Sequence, residues 1–224
     1  LWLKENEPEV WSRAEVVCEY GDWMVHQMTG RWTASLMQSS CRWFYNNRAG
    51  GFPRDLYGAV GLADAVDRFP ADVLPTGTPV GGLTPEAAAH LGLLSGTPVM
   101  ECGVDAFIAM PALQATGPGR LASIMGSSHC MMLLSPEEVH GSGIFGGYPD
   151  AVVPGYWMLE GGQTSTGSVI KWFRDQFGLA DKLEAEAQGL TRDHFGHAVD
   201  LEHDPAGFDL GRPVVGGAFT LTHP

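Results

Sequence analysis

Short apolar strand segments alternate with helical segments between residues 96 and 177, and this alternation restricts the fold more than any other feature. GTPVMECGV predicts a strand, and DAFIAMPALQA predicts a helix that Pro111 interrupts. PGRLASIMGSSHCMMLLS predicts two strands joined by a tight turn of small residues. GYWMLEGG predicts a further strand, and STGSVIKWFRDQF an amphipathic helix. Strands that alternate with helices predict an α/β fold.

The first third of the chain is predicted to be mainly helical. Residues 8–28 carry apolar side chains at helical spacing, and Gly30 is a natural helix stop. Thr84 is placed to cap a helix that has Pro85 at its first position. We expect a parallel or mixed sheet that ends in a strand over residues 98–103. QATGPGR, residues 114–120, is the best candidate for a domain boundary.

Composition and charge exclude several kinds of partner. With 224 residues, 44% hydrophobic and 17% charged, the chain is long and apolar enough to fold into a globular structure. Its formal net charge of −13 argues against binding nucleic acid or an anionic membrane surface. A phosphorylated small molecule remains compatible, because local backbone donors can bind it. No apolar run is long enough to span a bilayer and no secretory leader is found, so we expect a cytoplasmic protein.

The cysteines and histidines predict neither a metal site nor a nucleophile. The four cysteines form no Cys-x-x-Cys pair, which favours free thiols in a reducing compartment. His194, His197 and His203 lack a carboxylate-bearing helix, so a solvated tail is favoured over a metal site. His129 and Cys130 are neighbours on a predicted strand and point to opposite faces, which disfavours a Cys–His hydrolase.

Asp105 is the lone charged residue in DAFIAM, and it follows a strand and opens a helix. Two interpretations stay open. Asp105 caps the helix, which its residue type favours. Alternatively, it is a carboxylate at the ligand-binding end of a strand that takes a proton from a substrate hydroxyl.

Two glycine-containing segments are candidates for anion binding. Gly126, Ser127 and Ser128 form a small-residue turn, which is either a phosphate cradle or an ordinary hairpin turn. EGGQTSTGSVIKW predicts a helix from near Ser165 whose N–H groups could face an anion, or simply a capped helix. Neither segment matches a Walker loop or a dinucleotide fingerprint.

The order of these segments resembles the central part of the FGGY family of carbohydrate kinases. The resemblance is closest to ribulokinase-like and xylulokinase-like members, and it covers residues 1 to about 177. The segments that carry it are TGRWTASLMQSSCRWFYN, GTPVMECGVDAFIAM, SIMGSSH, GGYPDAVVPG and EGGQTSTGSVIKWFRDQF.

This resemblance implies an α/β fold of the actin-like ATPase (ribonuclease H-like) type, with parts of two domains around a cleft. Residues 1–116 would be the C-terminal part of a sugar-binding domain, and residues 120–224 the beginning of a nucleotide-binding domain. The implied reaction is phosphorylation of a sugar or polyol hydroxyl by ATP and Mg²⁺, with a pentulose such as ribulose or xylulose as substrate.

The resemblance also implies roles for individual residues. Asp105 would be the catalytic base, and Asp105 and Ala106 would contact the sugar. The small-residue turn would lie at the cleft and face Asp105. Five residues would contact the nucleotide: Gly126, Ser127, Ser128, Gly167 and Lys171.

The chain departs from the family pattern in two ways. It lacks the family's first phosphate loop, Asp-x-Gly-Thr, and its glycine-rich adenine-binding part, and residues 191–224 diverge. It begins with Leu1, and we expect a fragment that is inactive by itself. The alternative function is a catalytically silent actin-fold fragment that binds sugar or associates with partners. The oligomeric state stays open, although exposed apolar surface on a partial core would favour a homo-oligomer.

Overall fold

The computed structural model describes residues 1–177, 209–210 and 218–222, which belong to two compact units. Unit 1 contains Leu1–Val104 and Tyr148–Ala151. Unit 2 contains Asp105–Gly147 and the described residues from Val152 onward. The division therefore falls before the predicted linker at residues 114–120, and the domain limits 1–116 and 120–224 stay a prediction.

Unit 1 is built mainly from short helices. They are α1 (Trp2–Asn6), α2 (Pro8–Arg13), α3 (Tyr20–Thr29), α4 (Leu36–Trp43), α5 (Arg54–Ala59), a 3₁₀ helix (Ala63–Arg68) and α6 (Pro85–Leu91). Gly30 ends α3 with a left-handed backbone (φ 72°), and the Thr84 side chain accepts the Ala87 N–H, so both predicted helix ends are confirmed.

The continuous helical pattern of residues 8–28 is divided between α2 and α3, contrary to the sequence prediction. The chain leaves the helix after Arg13, and the Val17 N–H donates to the carbonyl of Arg68 at 3.0 Å. Glu19 and Asp22 then form a capping box that starts α3. A long-range backbone bond and a local cap thus outweigh the apolar periodicity.

The strands of unit 1 form two small sheets. β1 (Ala34–Ser35) pairs in parallel with β2 (Val73–Leu74), whereas β3 (Pro79–Gly82) pairs antiparallel with β4 (Pro98–Met100). The predicted parallel or mixed sheet ending at residues 98–103 is therefore wrong. Glu101, just after β4, still exchanges backbone bonds with Thr78 and Gly77. From Cys102 onward side chains are the partners: the Cys102 N–H donates to the Glu101 carboxylate, and the Cys102 carbonyl accepts the Ser35 hydroxyl.

Two apolar clusters form the core of unit 1. One contains Val25, Val80, Leu83, Ala88 and Val99, and the other contains Tyr57, Ala65, Val66 and Phe69. Full burial of such valine, leucine and phenylalanine side chains contributes about 1.5–3 kcal/mol each. The first cluster joins α3, α6 and both strands of the antiparallel pair.

Unit 2 contains α7 (Asp105–Ala112), α8 (Gly167–Phe177) and the larger sheet. Among the described residues the strands of this sheet are β5 (Arg120–Met125), β6 (His129–Ser135), β7 (Gly146–Pro149), β8 (Trp157–Gln163), β9 (Asp209–Leu210) and β10 (Ala218–Thr222), in the order β7-β8-β6-β5-β10-β9. The last two residues of β7, Tyr148 and Pro149, are counted in unit 1. The predicted strand–turn–strand at β5 and β6 and the predicted strand at β8 are confirmed. Residues 114–119 contain no strand, as expected of a connection.

The core of unit 2 lies where α7 packs against β6. Phe107 and Met110 of α7 are 3% and 0% exposed, and Ala122, Met132 and Met158 of the sheet are fully buried. The packing of α7 through Phe107 and Met110 decides which of its side chains stay in solvent.

No helix of the described residues is long and apolar enough to cross a membrane.

Two buried carboxylates hold unit 1 together around β1. Asp22 accepts the N–H groups of Ser35 and Glu19, each at 3.0 Å. Glu101 accepts the Thr33 hydroxyl at 2.8 Å and the Cys102 N–H at 3.2 Å. Both side chains are 2% exposed. Burial raises the pKa of Asp22 to about 6 and also raises the pKa of Glu101.

The raised pKa of Asp22 predicts a loss of stability with rising pH. Asp22 keeps its proton in the folded state up to pH about 6, whereas the unfolded chain releases it near 3.8. The folded state thus binds more protons in this interval, so the free energy of unfolding should fall as the pH rises through it. Chemical unfolding at several pH values measures this slope, which should be shallower in Asp22→Asn.

Asp67→Asn is the matched control. Asp67 is exposed, and its bond to Arg54 lowers its pKa, so its titration lies below the interval. In Asp67→Asn the free energy of unfolding should change with pH as it does in the unsubstituted protein. A slope that is equal in the parent and in Asp22→Asn would contradict the assignment.

Candidate active site

Asp105 begins α7 and is exposed to solvent. Its Oδ1 accepts the Ala106 N–H at 2.8 Å. Phe107 and Met110 occupy the buried face of the helix, which leaves Asp105 on the open side. The carboxylate therefore satisfies a helix N–H and still presents oxygen to solvent, so both sequence interpretations are compatible with its position.

The backbone just before this residue, within unit 1, is fixed by side chains that sequence reasoning missed. The Cys102 carbonyl accepts the hydroxyls of Ser35 at 2.6 Å and Thr76 at 3.3 Å. At Gly103 an added Cβ would overlap the sulfur of Met37. The available signal was Glu101, an acid at the end of an apolar strand. Its buried side chain accepts bonds from Thr33 and Cys102, so polar groups help to anchor this segment.

The small-residue turn joins β5 to β6 and is exposed. The Gly126 N–H donates to the Ser128 carbonyl at 2.7 Å and closes the turn. An added Cβ at Gly126 would come no nearer than 3.8 Å to another atom, so there is room above it for an approaching group. The hydroxyls of Ser127 and Ser128 make no hydrogen bond within the described part of the chain. They are available to an oxygen-rich ligand.

The turn is interlocked with the beginning of α8. The N–H groups of Thr166 and Gly167 donate to the carbonyls of Ser127 at 2.8 Å and Gly126 at 3.1 Å. The Ser168 hydroxyl also reaches the Ser127 carbonyl, at 3.4 Å across 41 residues of sequence. A Cβ at Gly167 would overlap the Gly126 carbonyl oxygen. The structure thus brings together four of the five predicted nucleotide-binding residues, Gly126, Ser127, Ser128 and Gly167.

This interlock changes how α8 could bind an anion. The sequence suggested that the first N–H groups of the helix face a ligand, but those of Thr166 and Gly167 are used by the turn. The donors left for an anion are therefore the hydroxyls of Ser127 and Ser128 and the N–H groups that follow Gly167 in the first turn of α8. Lys171 lies one helical turn beyond Gly167, where it is exposed and pairs with Asp175.

His129 and Cys130 take different partners, as their neighbouring strand positions imply. The Ser123 hydroxyl and His129 Nε2 lie 2.5 Å apart, whereas the Cys130 thiol donates to Glu160 at 3.2 Å. Burial and the Glu160 carboxylate raise the pKa of Cys130 to about 12. The thiol stays protonated at neutral pH, so Cys130 is a poor nucleophile.

The described residues contain no group of three or more histidine, cysteine, aspartate or glutamate side chains placed to hold a metal ion. His194, His197 and His203 lie outside the described residues. The four cysteines, all within the described part of the chain, form no disulfide. The placement of the small-residue turn opposite Asp105 stays a prediction.

Comparison with known proteins decides the family. Sequence models of the FGGY family of carbohydrate kinases match residues 1–111 with the N-terminal domain and residues 121–219 with the C-terminal domain. The chain belongs to this family. A ribulokinase of Shouchella clausii is 36% identical over 198 residues, covering 84% of this chain and 35% of that protein. An FGGY carbohydrate kinase domain-containing protein of Homo sapiens is 36% identical over 232 residues, covering 93% and 42%.

Solved structures confirm the predicted fold class. A xylulose kinase of Rhodospirillum rubrum matches with a TM-score of 0.70 and 24% identity, covering 85% of this chain and 39% of that one. A ligand-bound xylulose kinase of Lactobacillus acidophilus also matches with a TM-score of 0.70, at 18% identity and the same coverage. The fold is the α/β, actin-like ATPase fold of these kinases. The chain spans about a third of the length of the ribulokinases it matches.

Replacing Gly167 tests the interlock between the turn and α8. In Gly167→Ala the new Cβ would overlap the Gly126 carbonyl, and this is backbone that cannot rotate away. We expect a loss of about 1–3 kcal/mol from overpacking, which outweighs the better helix propensity of alanine. Urea unfolding measures the change.

Gly117→Ala provides the control for this substitution. Gly117 has nothing within 4 Å of an added Cβ, and its φ is not in the left-handed region. The control should be neutral or slightly stabilising. Equal stability of the two variants would show that the backbones do not touch as described.

Proposed function

We propose that the protein phosphorylates a sugar hydroxyl with ATP, and that pentuloses such as ribulose or xylulose are its substrate class. The observation that carries the proposal is the match of both FGGY domain models to one chain. Five curated relatives at 32–36% identity are ribulokinases, which supports a pentulose, and three others in the same range are named only as FGGY carbohydrate kinase domain-containing proteins. Because the chain spans only part of those relatives, the proposal concerns the protein expressed from its complete reading frame.

Asp105 is the proposed general base. Its exposed carboxylate at the start of α7 can accept a proton from a bound hydroxyl. Ala106 is the proposed sugar contact beside it. Its N–H is bonded to Asp105, so its part would be to hold the carboxylate and to present its methyl group.

The small-residue turn and α8 are the proposed nucleotide-binding elements. Ser127 and Ser128 offer hydroxyls at an open turn, and Gly126 leaves room for a phosphate to approach the backbone. Gly167 holds the turn in place, and Lys171 offers a positive charge if it exchanges Asp175 for a phosphate. Mg²⁺, when bound with the nucleotide, would supply charge neutralisation at the phosphates, largely through phosphate oxygens and water.

We further propose that the reaction takes place in the cytoplasm. The four free thiols are suited to a reducing compartment. The partner implied by the family is a small sugar, and the net charge of −13 gives no reason to add nucleic acid or an anionic membrane.

Asp105→Asn tests the base. The change is nearly isosteric and an amide can still accept the Ala106 N–H, but it cannot take the substrate proton. We expect turnover of the preferred sugar, chosen from a panel of pentuloses and polyols, to fall by about 10²–10⁴-fold. The melting temperature and the sugar affinity should stay close to those of the parent.

Asp72→Asn is the control, because Asp72 is an exposed acid in unit 1 paired with Arg31. It should retain parent turnover. A parent-like rate in Asp105→Asn would mean that Asp105 only caps α7. A parent that phosphorylates no sugar in the panel would contradict the proposed function itself.

A further inference from the structure

A hydrogen bond between two side chains braces the hairpin that carries the small-residue turn. The Ser123 hydroxyl on β5 lies 2.5 Å from His129 Nε2 on β6. The two residues are diagonal neighbours on one face, because Ser123 pairs with Met131 and His129 with Met125. Ser123 is only 3% exposed, so water has little access to compete for its hydroxyl.

This bond does not depend on one protonation state of the imidazole. In the neutral ring with its proton on Nδ1, the serine hydroxyl donates to Nε2. In the imidazolium, Nε2–H donates to the serine oxygen. The brace therefore persists whichever form His129 takes.

His129 also connects the turn to β8. It is the first residue of β6, directly after Ser128, and it pairs with Gln163. Its carbonyl oxygen lies where a Cβ at Gly162 would be, so only glycine permits this approach. His129 is thus held by β5 through its side chain and by β8 through its backbone.

The turn consequently has two separate supports. Thr166 and Gly167 hold its tip through the carbonyls of Ser127 and Gly126. His129 holds its C-terminal end through its pairing with Met125 and Gln163 and through its bond to Ser123. Hairpin ends open easily when few contacts hold them, so this second support affects how well ordered the two serines are.

We propose that His129, through Ser123, is a positioning residue for nucleotide binding: it holds the Ser127 and Ser128 groups that receive the phosphates. The inference rests on the proposed function, because it assigns the turn to the nucleotide. It adds a residue that does not itself touch the ligand. Removing the brace should weaken binding of ATP and ADP without changing binding of the sugar.

The experiment uses the protein expressed from its complete reading frame and three substitutions. Ser123→Ala removes the hydroxyl, His129→Leu removes the ring nitrogen, and His129→Gln keeps a polar atom near the position of Nε2. Calorimetry measures ADP affinity, and steady-state kinetics give kcat and the KM values for ATP and sugar. His140→Gln is the control, because His140 is an exposed histidine of the same unit that contacts Glu138.

We expect Ser123→Ala and His129→Leu each to weaken ADP binding and raise the KM for ATP by about fivefold to fiftyfold. The KM for sugar should stay unchanged. The double variant Ser123→Ala/His129→Leu should bind ADP as tightly as either single variant, because both substitutions remove the same hydrogen bond. His129→Gln should recover most of the nucleotide affinity, and His140→Gln should behave as the parent.

Parent-like nucleotide affinity in Ser123→Ala and His129→Leu, in a parent that phosphorylates sugar, would overturn the inference alone. Equal losses for sugar and nucleotide would also overturn it, because they indicate a general structural role. If His129→Leu fails to fold, Ser123→Ala decides, since it removes a single oxygen atom. A parent that binds no nucleotide would instead overturn the proposed function, and the inference with it.

Discussion

The contact between the small-residue turn and the first residues of α8 is the constraint on which the rest of unit 2 depends. Backbone donates to backbone there, from Thr166 and Gly167 to the carbonyls of Ser127 and Gly126, at a separation that a side chain at Gly167 would prevent. Both partners gain from it: the turn keeps its shape, and two N–H groups at the helix start are satisfied. The turn and the helix therefore act as one element, and the serine hydroxyls remain free to meet a ligand.

In unit 1 the strands are too short to hold the other elements in place. Asp22 and Glu101 do so instead, by accepting hydrogen bonds from both ends of β1 and from the segment after β4. Buried carboxylates are costly unless their oxygens are bonded, and here each accepts two bonds. The remaining cost is visible in the pKa of Asp22, which burial raises to about 6. The buried carboxylates that fix the backbone before Val104 therefore lower the free energy of unfolding near neutral pH.

Asp105 shows why a capping residue and a catalytic residue are hard to separate. Its Oδ1 accepts the Ala106 N–H at the start of the helix, as a cap would, and the same carboxylate is exposed to solvent, as a base must be. The residue type and position are equally suited to both roles. The bond to the Ala106 N–H would orient the carboxylate in either case.

The amino-acid sequence by itself determined the local elements: the hairpin of β5 and β6, the strand β8, the Thr84 cap and the Gly30 stop all follow from periodicity and backbone preference. The order of its motifs also sufficed to identify the family. Tertiary structure alone decided the division of residues 8–28 into two helices and the antiparallel partner of β4. It also decided the joining of Gly126 to Gly167 and the Ser123–His129 bond. These depend on which distant segments come into contact, and periodicity describes only the face that a segment presents, not what will pack against it.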